Sequence, residues 1–322
     1  MFNSMSEYLP KSISYTQLKE TEWPEDIFIE GGFLSRGDRL MVGGESKAGK
    51  STLLSGLNRE LITGGNFLGF KVTRPLKVLY IQAELRERRL KERLSNSFDP
   101  LKDEHKENFR IWTTRNSLIL PRDLVAIHRE IEYCKPDIAE FDPFISFHDK
   151  EENSASEMAD VFRAIDAIKE KHDIAIILAH HFRKKAQDAK IRQSLLEMIR
   201  GSASMRGWAD TTIAMEGRTN SGYRDLEFEF RNRDEPIKRI IKYNKKTKDF
   251  DWHDPISTIS IWLSDNMTGS MGTNAFITYL LQHHGDLLSH NRTKAFDIKE
   301  VLVNTNFLKA TPSGKAINLS LA

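Results

Sequence analysis

Residues 44–52 contain the pattern that most limits what this chain can fold into. Gly44 to Ser51 fits the motif G-x-x-x-x-G-K-[ST], between the apolar run 40–42 and a helical leucine pattern. Glycines let backbone N–H groups curl around a phosphate, and the following helix N-terminus adds partial positive charge. The alternative, a glycine-rich turn without function, is disfavoured by the flanking strand and helix. The sequence therefore predicts a nucleotide-binding P-loop formed by Gly44, Glu45, Ser46, Lys47, Ala48, Gly49, Lys50, Ser51 and Thr52.

Two residues of this loop have predicted roles of their own. Lys50 reaches the β- and γ-phosphate oxygens, and the Ser51 hydroxyl is a ligand for Mg²⁺. A P-loop identifies a nucleotide site but not the reaction, so the remaining candidates are sought at the ends of the strands.

The composition limits the class of protein. Of 322 residues, 39% are hydrophobic and 29% are charged, which is typical of a folded globular protein. No stretch of the sequence comes close to the about 18 consecutive apolar residues that a membrane-spanning helix needs. The first twelve residues lack the pattern of a secretory signal. The single cysteine, Cys134, excludes a disulfide framework and a cysteine-based zinc site. We therefore expect a cytoplasmic protein without a membrane partner.

Short apolar runs alternate with helical patterns from residue 40 to residue 215. This alternation predicts an α/β fold with a mainly parallel central sheet covered on both faces. Residues 226–230 then alternate apolar and acidic side chains, which predicts an antiparallel extension at the sheet edge together with 237–243 and 250–252. The candidate strands of the parallel part are 40–42, 78–83, 109–112, 138–142, 174–179 and 211–215, with helices around 53–61 and 158–168.

Three regions follow from this pattern. We expect an N-terminal arm over 1–30, a nucleotide-binding α/β domain over 31–254 and a small C-terminal helical module over 255–322. Residues 311–315 of the module have the composition of a turn or wing, so its alternatives are a winged helix that binds DNA, or helices used for packing and oligomer contacts.

Acidic residues and histidines stand at the ends of three candidate strands. Because ligands bind at the carboxyl ends of parallel strands, Glu84 is a candidate to polarise the attacking water and Asp142 a candidate second Mg²⁺ contact. His180 and His181 are candidates to sense the γ-phosphate. The alternatives are an acid that stabilises a helix N-terminus and a structural histidine pair. Glu140 should face the same side as Asp142, so either the strand end opens to the nucleotide cleft or the register is wrong there.

Basic residues are concentrated in two stretches, although the whole chain carries only +2. Residues 182–200 hold six basic and two acidic side chains, and residues 231–248 hold eight basic and two acidic ones. The ordinary interpretation of such a run is a solvated face. The functional interpretation is contact with a nucleic-acid backbone.

Together these elements resemble the RecA-like hexameric ATPases, and more narrowly the RepA-type plasmid replicative helicases, with distant similarity to DnaB-type helicases. The resemblance covers about residues 24–233, and its most specific parts are 151–153 (Glu-Glu-Asn) and 200–203 (Arg-Gly-Ser-Ala). The other matching stretches are 28–34, the P-loop, 79–84, 154–158 and 179–181.

The resemblance implies a role for each matching residue. Lys50 and Ser51 would bind ATP and Mg²⁺, Glu84 would be the catalytic base, and Asp142 the Walker B acid. One histidine of the pair His180 and His181 would be the γ-phosphate sensor. DnaB-type proteins carry a Lys-x-Arg element that enters the neighbouring subunit's site, and Arg231 and Arg233 stand at the corresponding place.

The implied function is an ATP-driven ring helicase or translocase on single-stranded DNA, in the replication of a plasmid, phage or other mobile element. The implied partners are single-stranded DNA, further copies of the chain in a hexamer, and a replication initiator or primase. The alternatives are a RecA-like recombination or repair ATPase that does not unwind, and a regulatory ATPase that switches partner binding. The DNA contacts are expected from the loop after His181, through Arg183, Lys184, Lys185, Lys190 and Arg192.

Overall fold

The computed structural model describes residues 12–21, 26–45, 47–115, 117–152, 154–181, 195–198, 207–217, 222–231, 237–314 and 316–322. The helices are α1 (Tyr15–Glu20), α2 (Lys50–Thr63), α3 (Glu87–Phe98), α4 (Asp103–Lys106), α5 (Leu124–Cys134), α6 (Ala155–His172), α7 (Leu195–Met198), α8 (Pro255–Asn266), α9 (Thr273–His284) and α10 (Arg292–Asn304), with a 3-10 turn at Phe144–Phe147. The strands are β1 (Ile27–Ile29), β2 (Leu34–Ser35), β3 (Arg39–Gly44), β4 (Asn66–Phe67), β5 (Phe70–Lys71), β6 (Val78–Gln82), β7 (Phe109–Thr113), β8 (Ile138–Asp142), β9 (Ala175–His181), β10 (Thr211–Gly217), β11 (Tyr223–Phe230), β12 (Ile237–Asn244), β13 (Asp249–His253), β14 (Ser270–Gly272), β15 (Leu308–Ser313) and β16 (Ala316–Leu321).

A nine-stranded sheet organises the chain, in the order β13-β12-β11-β10-β3-β9-β8-β6-β7. Neighbouring strands from β10 to β7 are parallel, whereas β11, β12 and β13 pair antiparallel at the β10 side. The predicted α/β class, the parallel core and the antiparallel edge extension are therefore confirmed.

The side chains of the parallel strands alternate between two apolar cores, as expected for a sheet buried on both faces. In β3, Leu40 and Val42 join the core beneath α2 and α3, whereas Met41 joins the core beneath α5 and α6. In β9, Ile177 and Ala179 face the α2 side. This alternation decides which face receives each polar residue at the strand ends.

Strand β9 ends two residues later than the sequence pattern predicts. The sequence pattern predicts the strand over 174–179, so that His180 and His181 would follow it. In the structure the strand continues through His181, because Gly43 and Gly44 of β3 pair with the two histidines. The two rings consequently lie on opposite faces of the sheet.

The antiparallel extension covers the outer side of the P-loop. Arg224 of β11 donates from Nε to the carbonyl oxygen of Ala48 at 2.6 Å. The Phe250 ring of β13 lies where a Cβ on Gly49 would come within 2.8 Å of it. The loop is thus held by residues that come about 180 to 200 positions later in the sequence.

The C-terminal region contains strands that the sequence pattern did not predict. After α8, the order is β14, α9, α10, β15 and β16, and the three strands form a sheet in the order β14-β16-β15. Helix α8 begins at Pro255, where Asp254 caps the helix by accepting from the Ser257 N–H. Tyr223 of β11 is part of the buried core of this region, and Ile240 of β12 packs against it.

The N-terminal residues divide into two parts. No residue of α1 is buried, whereas Phe28 and Ile29 of β1 are 1% and 0% exposed and belong to the α2-side core. Strand β1 pairs with β2, so a segment within the predicted arm contributes to the core of the sheet. In the part of the chain that the structure describes, no helix is long and apolar enough to cross a membrane.

Glu140 occupies a buried position that its sequence context did not indicate. Its side chain is fully buried on the α2 face, where Oε2 accepts a hydrogen bond from Asn58 Nδ2 of α2 at 2.8 Å. Burial, followed by the charge of Asp142, raises the pKa of the Glu140 carboxyl well above its ordinary value. Both explanations that the sequence offered for an acid at position 140 are wrong. The strand register is as predicted, and the side chain is buried beneath α2 instead of opening to the nucleotide cleft. Full burial also excludes Glu140 as a base for solvent water.

Replacing Glu140 by glutamine should stabilise the protein above about pH 5. Because the pKa is raised in the folded state, the unfolded chain releases its proton first, so stability falls as pH rises from the unfolded value of 4.5. Each unit of pKa difference contributes about 1.4 kcal/mol. Glutamine stays neutral and still offers an oxygen to Asn58. Denaturant unfolding from pH 4 to pH 8, without nucleotide or Mg²⁺, should show the two proteins converging at pH 4 and diverging above it.

The control is Glu104→Gln on α4, which removes an exposed carboxyl and should leave the pH profile unchanged. Parallel profiles for wild type and Glu140→Gln over the whole range would contradict the raised pKa of this buried carboxyl.

Candidate nucleotide-binding site

The P-loop has the conformation that its glycines allow. Gly49 has φ +107°, a region that residues with a side chain rarely adopt, and it precedes the first residue of α2. Its carbonyl accepts from the N–H groups of Thr52 and Leu53, which starts the helix. A Cβ on Gly44 would lie 2.8 Å from the Met215 carbonyl oxygen. The close approaches at Gly44 and Gly49 therefore both need glycine. Ser46, another predicted P-loop residue, lies outside the described residues.

Lys50 is the centre of the polar site. Its side chain folds over the loop, where Nζ donates to the carbonyl oxygens of Gly44 (2.8 Å) and Glu45 (3.0 Å) and lies 3.1 Å from His181 Nδ1. Burial lowers the pKa of the ammonium, and the charges of Asp142 and Glu84 oppose this shift. Both predicted acids thus act on the predicted phosphate-binding lysine.

The structure separates the two histidines. His181 lies on the α2 face and contacts Lys50, so it is placed to meet the phosphates. His180 has the opposite strand parity and is 3% exposed, directed away from the loop. The sequence could not distinguish the two rings, and their geometry favours His181 for the sensor position.

Asp142 ends β8 beside the cleft. Its side chain is 7% exposed, and Oδ2 accepts a hydrogen bond from the Tyr80 hydroxyl of β6 at 2.7 Å. Burial raises the pKa of this carboxyl, the Tyr80 bond lowers it, and the Glu84 charge raises it further. The carboxyl is therefore oriented by a neighbouring strand rather than by solvent.

Glu84 is placed by a tight turn after β6. Gln82 stabilises this turn through two hydrogen bonds with Leu85. Its Nε2 donates to the Leu85 carbonyl oxygen (3.0 Å), and its Oε1 accepts from the Leu85 N–H (2.7 Å). Glu84 itself is exposed, and its charge opposes the lowering of the His181 pKa by burial and by the charge of Lys50. An exposed carboxylate at this edge can reach a water molecule next to a bound nucleotide.

The residues present fit a Mg²⁺ ion that accompanies a nucleotide. Ser51 in the first turn of α2 offers a hydroxyl and Asp142 a carboxylate, and these are the hard oxygen donors that Mg²⁺ prefers. The described residues contain no group of three or more His, Cys, Asp or Glu that could hold a metal ion by themselves. Nucleotide phosphates would have to supply the remaining ligands, as is usual for Mg²⁺ in phosphoryl-transfer sites.

Arg231 lies at the other end of the sheet. It follows β11, whose Phe230 pairs with Thr211 at the start of β10, whereas the P-loop meets the end of β10. Its guanidinium forms an ion pair with Asp210 at 2.6 Å and donates to the Gly207 carbonyl. Arg231 therefore cannot reach its own subunit's nucleotide. Arg233 and the predicted DNA-contacting residues lie outside the described residues: Arg183, Lys184, Lys185, Lys190 and Arg192.

Four residues at the site were missed by sequence reasoning. Tyr80 and Gln82 share the strand face of Asp142 and stand in an otherwise apolar run, which is a signal that could have identified them. Arg224 and Phe250 come from strands far along the chain, and no local pattern links them to the P-loop.

Glu84→Gln should retain ATP binding and lose turnover. The substitution removes a proton acceptor but preserves shape, so hydrolysis should fall by about 10²–10⁴-fold, the usual contribution of a positioned base. Steady-state turnover and binding of a fluorescent ATP analogue measure the two properties separately. Glu92→Gln on the exposed face of α3 is the matched control. Turnover at the wild-type rate in Glu84→Gln would place the base elsewhere.

Solved structures share this arrangement of the sheet. One solved ATPase domain superposes with a TM-score of 0.53 at 10% identity, covering 68% of this chain and 86% of that one. A DnaB-like replicative helicase, described with its interactions with primase, superposes with a TM-score of 0.52 at 11% identity, covering 67% of this chain and 57% of that one. At these identities the likeness establishes the fold, and it confirms the predicted RecA-like architecture.

Sequence comparison adds a relative and a family. DNA repair protein RadA of Listeria monocytogenes serovar 1/2a (strain ATCC BAA-679 / EGD-e) is 26% identical over 214 residues, which are 64% of this chain and 39% of RadA. The chain thus spans about two fifths of that relative's length. The model of the AAA_25 family, described as an AAA domain, matches residues 10–187. This match covers more than half of the chain and contains the P-loop, Glu84, Asp142 and both histidines, so the chain belongs to the AAA_25 family and is a P-loop ATPase.

Proposed function

We propose that this ATPase is a ring-forming helicase or translocase that moves on single-stranded DNA during replication of a plasmid, phage or other mobile element. The observation that carries the proposal is the convergence of Lys50, Glu84, Asp142 and His181 at one edge of a RecA-like sheet. The similarity to a DnaB-like helicase supports it.

The site has the parts that ATP hydrolysis requires. Lys50 and the P-loop amides hold the phosphates, and Mg²⁺ at Ser51 and Asp142 would offset charge on the β- and γ-phosphate oxygens. Glu84 accepts the proton of the attacking water. His181, which contacts Lys50, distinguishes the presence of a γ-phosphate from its absence.

The sequence after His181 supports a DNA contact. The chain passes directly from the sensor position into residues 182–200, with a net charge of +4. A basic segment next to a γ-phosphate sensor can couple backbone binding to the nucleotide state. Aromatic residues are scarce there, since Phe182 stands alone, so we expect contact with phosphates rather than base stacking.

The placement of β11 supports action between subunits. Because Arg231 lies at the sheet end opposite its own P-loop, it does not reach its own subunit's nucleotide. We assign the arginine that enters a neighbouring subunit's site to Arg233, with Arg231 in the place of the lysine of the Lys-x-Arg element. A hexameric ring would place one such arginine at each nucleotide.

The C-terminal region has the element order of a winged helix. Helix α8, strand β14, helices α9 and α10, and the hairpin β15–β16 follow in that order, and we propose that 255–322 is a winged-helix unit. Helix α10 carries the basic residues Arg292, Lys294 and Lys299 beside the acidic Asp297 and Glu300, none of them buried, so its surface is mixed in charge.

A second candidate is a recombination or repair ATPase that does not unwind DNA, and the match to RadA favours it. ATP turnover with and without single-stranded DNA, together with the mass of the assembled state, tests the leading proposal. If single-stranded DNA stimulates ATP turnover and the protein forms closed rings that unwind forks, the helicase is supported. If DNA stimulates turnover but the protein forms filaments, the repair ATPase is supported. If DNA does not stimulate turnover, a regulatory ATPase is supported.

Replacing Lys184, Lys185 and Lys190 by alanine together should weaken single-stranded DNA binding equally across sequences. For each phosphate that the variant no longer binds, the slope of log affinity against log salt should decrease by about 0.7. Fluorescence anisotropy at several salt concentrations measures this slope, and basal ATP turnover should remain. The triple replacement of Lys71, Lys91 and Lys102, exposed residues outside both basic stretches, is the matched control. An unchanged slope in the first variant would make 182–200 an ordinary solvated face.

Mixing two inactive variants tests the ring. Arg233→Ala and Lys50→Ala should each lose turnover, by about 10³–10⁵-fold for the arginine. Mixed rings should regain part of the activity wherever an intact P-loop faces an intact arginine. Turnover is measured after mixing, and native mass spectrometry confirms subunit exchange. A mixture that exchanges subunits and remains inactive would exclude action between subunits.

A further inference from the structure

A buried polar cluster lies next to the nucleotide site, on the opposite face of the sheet. It consists of His180 of β9, His148 after the 3-10 turn, and Glu152 before α6. The side chains of His180 and His148 are 4% and 0% exposed, and that of Glu152 is 26% exposed. Glu152 Oε1 lies 3.5 Å from His180 Nδ1 and 3.8 Å from His148 Nε2.

These contacts are close but incomplete. Both distances exceed the 2.7–3.2 Å of ordinary N–H···O hydrogen bonds. In the described part of the chain, His180 Nδ1 and His148 Nε2 are buried without a hydrogen-bond partner. Such atoms are rare in folded proteins, because an unsatisfied buried polar group costs about 1–3 kcal/mol. Burial lowers the pKa of His180 to about 4, so its ring is neutral at pH 7.

The position of the cluster indicates what it does. His180 adjoins His181, which contacts Lys50. His148 follows Asp142 through the 3-10 turn, whose Phe144 and Phe147 are fully buried. Glu152 therefore lies between the strand that carries the sensor and the segment that leaves the Walker B strand. A displacement of less than about 1 Å in either would convert one contact into a hydrogen bond.

We propose that Glu152 is a positioning residue that couples the end of β9 to residues 144–152, so that a nucleotide-dependent movement of His181 is transmitted through His180 to the segment after β8. The proposal rests on the proposed function, since it requires ATP at the P-loop. It deepens that function by giving the γ-phosphate sensor a route to a second segment of the same subunit.

Hydrogen exchange with and without a non-hydrolysable ATP analogue and Mg²⁺ tests the coupling without DNA. In the wild type, nucleotide should slow amide exchange in peptides covering 144–152 and 175–181. In Glu152→Gln, the effect should persist at 175–181 and disappear at 144–152. Glu151→Gln, the same change at the exposed preceding residue, should behave as the wild type. An equal response of both segments in Glu152→Gln, or no response of 144–152 in the wild type, overturns the proposal.

Turnover measurements separate positioning from a purely structural role. Glu152→Gln should keep the melting temperature, the KM for ATP and basal kcat, while stimulation by single-stranded DNA falls by about 2- to 30-fold. Parallel losses in melting temperature and basal kcat would indicate a structural role and overturn the proposal. Failure of the wild type to bind nucleotide, or to be stimulated by DNA, would instead refute the proposed function, and the exchange experiment distinguishes the two failures.

Discussion

The alternation of side chains across the parallel strands decides where each functional group of this protein points. Because helices cover both faces, every second residue of a strand enters a different apolar core. At the strand ends the same alternation places Asp142 and His181 on the α2 face, next to Lys50. It places His180 on the other face, with Glu152. One geometric rule thus separates a residue that can meet phosphate from an adjacent residue that cannot.

The second constraint is the packing of the antiparallel extension against the P-loop. Arg224 and Phe250 contact Ala48 and Gly49, so the loop is shaped from outside as well as by its own glycines. Tyr223, next to Arg224, points the other way into the C-terminal core. The nucleotide site and the C-terminal region therefore share one strand, β11.

Much of the fold could be predicted from local patterns, and the residues show why. The parallel strands β3, β6, β7, β8, β9 and β10 were predicted because each contains an apolar run that is visible among neighbouring residues in the sequence. The P-loop was recognisable because its function needs glycines and a lysine at fixed spacing. The strands β14, β15 and β16 were missed because their side chains are mostly not buried and show only a weak apolar alternation. The burial of Glu140 was missed because its partner, Asn58, lies 82 positions earlier in the chain.

The sequence by itself determined the phosphate-binding motif, the order of strands and helices, and the acids and histidines that end the strands. These depend on spacing along the chain, and spacing is visible in one dimension. The tertiary structure alone decided that His181 contacts Lys50 and that Glu140 is buried with a hydrogen bond from Asn58. It also decided that Arg231 lies at the sheet end opposite its own P-loop. These depend on which strands pair and which helix covers which face, and packing among residues distant in the sequence sets both.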